Sequence, residues 1–228
     1  MLFEIVAERV WASERPVWFS GVRLRARTSV IKLDDGRVLV HSPTPPTDEW
    51  TKQVTALGEV AWLVVPNCFH HLGTAAAAAA FPAAKVVAPK SVAAKNTTLR
   101  IDVEIGVFAL PELALIPLAG VPFLDETLIF HRPTQTLFGA DVVLRADETD
   151  HWTWRFGARV TGCYKRLRVP PDVRKKVVDK AAAARSLEAL KELSIQRLVV
   201  AHGAVIDEAP LEQLREAWRL VGVGSSVT

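Results

Sequence analysis

The stretch Leu63-Val64-Val65-Pro66-Asn67-Cys68-Phe69-His70-His71-Leu72-Gly73 decides the fold. The apolar run from Val60 to Val65 reads as a strand covered on both faces, and it breaks at Pro66. Two adjacent histidines follow, then a glycine and the helix-prone run from Thr74 to Phe81. A loop leaving the C-terminal end of a buried strand is where α/β sheets collect ligands. A histidine pair alone is a weak motif, and two solvated loop histidines are the plain alternative. Two later stretches change the weighing: Leu137-Phe138-Gly139-Ala140-Asp141 and Leu198-Val199-Val200-Ala201-His202-Gly203. Each is a short apolar run ending in a potential metal ligand. If the strand ends share one side of a sheet, His70, His71, Asp141 and His202 converge. Such a set suits zinc, iron or manganese.

Outward from this stretch, Arg23 to Lys32 partly alternates and predicts a strand with one wet face. Asp34-Asp35-Gly36 is a hairpin turn, followed by a strand over Arg37 to Val40 that ends at His41-Ser42-Pro43. Thr47 or Asp48 caps a helix running to about Leu57, where Gly58 ends it. Downstream, an alanine-rich helix reaches about Phe81 and a strand covers Lys85 to Ala88; residues 89–112 read as loop and short helix. Strands are expected over 113–118, 126–131 and 135–138, with a turn at Arg132-Pro133-Thr134. Asp150 to Gly157 is aromatic-rich without a clear period; a lid, a packing insert and a dimer surface stay open for it, and a homodimer with them. Pro170-Pro171 leads into one helix from about Asp172 to Leu193, with Glu188 and Lys191 paired on its outer face. A strand over Arg197 to Ala201 and a helix from Pro210 to Val221 complete the chain. Trp11 and Trp18 are expected as packing anchors. The order argues mixed sheets covered by helices, without internal repeats, in a single domain over 1–228.

Half of the 228 residues are hydrophobic and 23% are charged, so the chain affords a sizeable core. The formal net charge of +3 is mild and the basic residues form only local clusters, so nucleic acid is not an expected partner. Acidic residues interrupt the apolar N-terminal stretch, which argues against a secretory signal. No uncharged apolar window reaches the roughly 18 residues of a membrane span, so no membrane partner is expected. Cys68 and Cys163 do not make a disulfide framework, and a reducing cytoplasm is the expected setting. Both thiols read as buried and structural, His131 as solvated beside its turn, and His151 as packed among Trp152 and Trp154. Arg155, Lys165 and Arg166 read as solvated charges, with contact to an anionic substrate the alternative. Ser42 lacks the strand-to-helix elbow of a serine hydrolase.

The ligand-bearing strand ends resemble the metallo-β-lactamase superfamily, whose first motif is His-x-His-x-Asp-His followed shortly by Gly. His71-Leu72-Gly73 resembles the end of that motif, which puts Pro66, Cys68 and His70 where its first His, second His and Asp would stand. The strand ending at Asp141 resembles the one with the metal-bridging Asp, and Val199 to Gly203 the terminal strand with its His-Gly ligand. More narrowly, the chain resembles an uncharacterised branch of that superfamily, a domain of unknown function. That likeness rests on His41-Ser42-Pro43, Pro66-Asn67, His70-His71, Phe81-Pro82, Asp141 and His202-Gly203. The resemblance implies a four-layer αββα sandwich. It also implies loss of one of two metal ions, because Pro66 cannot ligate and Gly120-Val121 stands where a Gly-His is usual. The second ion would keep His70, His71, Asp141 and His202.

The expectation is therefore a metal-dependent hydrolase with a degenerate, mononuclear site for one divalent ion: zinc first, or iron or manganese. Asp141 would ligate and orient a water, with His41 and His70 as proton-transfer groups, acting on a small-molecule substrate. The competing expectation is a metal-free, inactive scaffold of the same fold that binds a small molecule or a protein. A redox role for Cys68 is the third.

Overall fold

The computed structural model describes residues 1–224. The chain divides into two compact units, one of residues 1–15 and 26–112 and the other of residues 16–25 and those from Leu113 on. Among the described residues no helix is long and apolar enough to cross a membrane.

The first sheet runs in the order β1 (Phe3–Val6), β2 (Val10–Phe19), β3 (Val22–Lys32), β4 (Val38–His41), β5 (Val60–Val64), β6 (Lys85–Ala88) and β7 (Val103–Glu104). Gly36, at φ 84°, turns the β3–β4 hairpin as its sequence demands. From β4 onward neighbouring strands are parallel, and helices make the crossovers. Helix α1 (Asp48–Thr55) starts at Thr47, whose hydroxyl accepts the Trp50 N–H; helix α2 (Thr74–Ala80) is the alanine run. Val30, Val40, Leu63 and Val86 of the sheet pack with Trp50 and Val54 of α1 and Ala77 of α2 in one apolar cluster. Alanine's small side chain lets α2 lie close on the strands. After α3 (Lys90–Lys95) the chain forms the short β7, so residues 89–112 are mostly irregular, as expected. Because β4 and β5 are parallel and pair His41 with Val64, the loops that follow them emerge from the same sheet edge.

The second unit contains β8 (Leu113–Pro117), β9 (Thr127–His131) and β10 (Thr136–Phe138) as an antiparallel meander. β11 (Arg197–Val199) joins β10 in parallel, pairing Phe138 with Val199. The aromatic stretch forms helix α4 (Trp152–Thr161), capped by His151, with Trp154 and Ala158 buried. Its period escapes a binary reading because exposed and buried positions are both apolar.

The helix expected over 172–193 is instead broken into α5 (Pro171–Arg174) and α6 (Lys180–Ala189). Asp179 accepts the Ala182 N–H and so starts a new helix, while its N–H and that of Val178 donate to the Gly120 carbonyl. The ion pair expected between Glu188 and Lys191 is present. Helix α7 (Pro210–Arg219) carries proline in its first turn.

Two side chains depart from expectation. Trp18 is 64% exposed rather than a packing anchor, because it lies near the tip of the β2–β3 hairpin. His131 is fully buried rather than solvated: it is the last residue of β9, and its Nδ1 pairs with Thr134 Oγ1 at 2.8 Å.

Candidate metal centre

In the first unit the site begins with the turn at Asn67. Its side-chain oxygen accepts the N–H groups of Phe69 and His70, at 2.9 and 3.1 Å, which folds the loop after β5 back on itself. Ser42, directly after β4, has φ 57°, a conformation that costs a non-glycine residue roughly 1–2 kcal/mol. It is held there by its N–H on the Val64 carbonyl and by its own carbonyl accepting from Thr28 Oγ1. Its hydroxyl reaches Nδ1 of His70 at 2.6 Å and fixes that ring. Gly73 is required by space: a Cβ there would stand 2.4 Å from the Pro43 carbonyl oxygen.

His41 lies beneath this loop, 2% exposed, and burial first, then the neighbouring His70, pushes its pKa down to about 3. It is therefore a neutral imidazole throughout the ordinary pH range. His71 is half-buried and is also lowered, by burial first; a hydrogen bond to the Cys68 backbone opposes this, and the charges of Lys95 and His70 add to it.

In the second unit, Asp141 and His202 each lie three residues beyond the paired positions Phe138 and Val199. Parallel register thus carries them out of the sheet side by side. His202 Nε2 is 3.6 Å from Asp141 Oδ1, and its Nδ1 lies 2.7 Å from the Arg25 carbonyl oxygen. The Asp141 loop is organised by Glu126, 2% exposed, whose carboxylate accepts the N–H groups of Ala140, Asp141 and Val142 at 2.7, 2.9 and 3.4 Å. Gly203 gives the close approach after His202: a Cβ there would meet the Arg145 carbonyl oxygen at 2.8 Å.

The positions at which the sequence implied loss of an ion's ligands hold other contacts. Lys95 Nζ donates to Cys68 Sγ at 3.0 Å and lies 3.9 Å over the Phe69 ring, so an ammonium stands beside this soft donor. Both cysteines are buried, as expected. Gly120 is locked by φ 77° and by the Asp179 carbonyl, and Val121 is buried in the core.

Sequence reasoning reached the histidines and Asp141 but missed Ser42, Asn67, Glu126 and the Arg25 carbonyl, which orient them. Asn67 after a proline is a turn signal that could have been read; a lone acid before a strand, like Glu126, gives none.

The two sheets with their helices define a metallo-β-lactamase-like fold. The chain superimposes on a metallo-β-lactamase from Pontibacter korlensis with a TM-score of 0.65 at 16% identity, covering 96% of this chain and 98% of that one. A metallo-β-lactamase from Hirschia baltica gives 0.67 at 10% identity, covering 97% of each chain. The metallo-β-lactamase FIM-1 from Pseudomonas aeruginosa, in its mono-zinc form, gives 0.67 at 10% identity, covering 98% and 96%. Residues 7–93 match the family described as a domain of unknown function, DUF4336. Among curated proteins none matches the chain.

Proposed function

We propose that the chain is a metal-dependent hydrolase with a single-ion site built on Asp141 and His202, for which the sequence offers His70 and His71 as further ligands. The observation that carries this reading is the arrangement of His202 against Asp141. A backbone carbonyl can only accept, so the Arg25 contact puts the ring proton of His202 on Nδ1. In its neutral form the ring turns the lone pair of Nε2 toward a carboxylate oxygen 3.6 Å away. Two acceptors facing each other are a poor pair and a good seat for a cation, and imidazole with carboxylate is a donor set for zinc, iron or manganese. A backbone acceptor behind a ligating histidine is the usual means of fixing its tautomer.

Bound there, a divalent ion supplies Lewis acidity, lowering the pKa of a water and polarising a carbonyl or phosphoryl oxygen. The chain's own groups do the positioning. Ser42 holds the His70 ring through Nδ1, so Nε2 is the atom that would coordinate. Glu126 fixes the backbone of Asp141, whose carboxylate can accept the proton of an attacking water. His41, neutral, supports the loop rather than relaying protons near pH 7. Zinc is the foremost candidate ion, and the substrate a small ester, thioester, lactone or phosphoester.

Elemental analysis of protein purified without chelators tests this. The expected result is about one equivalent of zinc, iron or manganese, lost in Asp141→Ala and in His202→Ala. Metal-free protein whose stability ignores both chelator and these substitutions would overturn it in favour of a scaffold that binds a small molecule or a protein.

A further inference from the structure

Helix α4 and the tip of the β2–β3 hairpin present a surface that the metal-site proposal does not use. Trp152, Phe156 and Val160 recur every fourth residue and are 69, 68 and 74% exposed, while Trp154 and Ala158 on the other face are buried. Trp18 and Phe19 of the hairpin are 64 and 53% exposed. The His151 ring stands between the two groups, 5.9 Å from Trp18 and 5.8 Å from Trp152. The hairpin is fixed to the helix, since the Arg23 N–H donates to Thr153 Oγ1 at 3.0 Å and Val17 and Val22 pack with Trp154 and Ala158. Isolated exposed apolar residues need no explanation, but a continuous aromatic face marks an interaction surface.

Charge selects the partner. Residues 152–168 hold five cationic side chains and no acidic one, and residues 15–25 hold three arginines and no acid. Arg25 is held by Asp150 and Asp147, and Lys165 by Glu148. Among the described residues Arg23, Arg155, Arg159 and Arg166 form no ion pair. A second copy docking through this face would bring these cations against their own counterparts, which an isologous interface disfavours. An anionic bilayer suits both halves of the pattern: aromatic rings settle at headgroup depth while arginines meet phosphates.

We propose that this face docks the protein peripherally on anionic lipid membranes. The test is co-sedimentation with phosphatidylcholine vesicles containing about one third phosphatidylserine, against phosphatidylcholine alone, at low and high salt. The expected result is binding to the anionic vesicles that is roughly tenfold weaker on the neutral ones and is lost at high salt. Both Trp152→Ser/Phe156→Ser and the charge reversal Arg159→Glu/Arg166→Glu should weaken it about tenfold while leaving far-UV circular dichroism and metal content unchanged. Protein left in the supernatant with both vesicles overturns the proposal, as does vesicle binding that neither double variant changes. A dimer abolished by the aromatic substitutions, without vesicle binding, assigns the face to a second copy instead.

Discussion

Removing the Glu126 carboxylate leaves the N–H groups of Ala140, Asp141 and Val142 without their acceptor in a largely buried loop. Each orphaned donor costs about 1–3 kcal/mol, so Glu126→Ala should lower the unfolding free energy in urea by at least about 3 kcal/mol. Glu126→Gln keeps one acceptor and should cost less. His41 makes a second prediction, one of pH. Its folded pKa of about 3 lies below the ordinary 6.5, so below that value the unfolded chain binds the proton first. Stability from this group is therefore complete above pH 6.5 and is lost progressively as pH falls toward 3. By pH 5 the loss should be roughly 2 kcal/mol, and His41→Asn should remove that part of the pH slope in urea titrations. Residue chemistry was legible where it is carried by type: histidines and an aspartate after apolar runs announce themselves. Glu126 was not, since what it does depends on a loop that returns to it from residue 140.

At the scale of elements, parallel register explains why strand reading brought Asp141 and His202 together. Phe138 pairs with Val199, and equal offsets beyond them place Asp141 and His202, so locating two strands was enough to align two candidate ligands. Helix reading failed where local capping competes with helix propensity. Residues 172–193 are rich in helix formers, yet α5 stops at Arg174 and Asp179 caps a separate helix. Asp179→Ala should cost about 1 kcal/mol of stability through the lost cap, read as a shift in the urea midpoint. The backbone contacts at Gly120 should persist in that variant, because they involve no side chain at position 179. The α4 helix was hidden for the opposite reason. Its outer face is as apolar as its inner one, which erases the contrast that reveals a helix.

For the whole molecule, the proposed metal binding and stability are one equilibrium. A ligand present at 100 times its dissociation constant adds about 2.7 kcal/mol to the native state, so a chelator should lower the melting temperature of metal-loaded wild type by several degrees. His202→Ala should melt at one temperature with or without chelator, as differential scanning fluorimetry can show. The fold as a whole was readable because apolar strand runs and helix formers follow one another in a definite order along the chain, and the fold is shared with solved structures at 10–16% identity. One contact bears on how such a chain withstands mutation. The group that sets the His202 proton is the main-chain carbonyl of residue 25, not its side chain. Sequence drift at position 25 can loosen the pairing with Asp147 and Asp150, yet every amino acid brings the same carbonyl. The tautomer is thus written into the path of the backbone and is insulated from the commonest kind of evolutionary change.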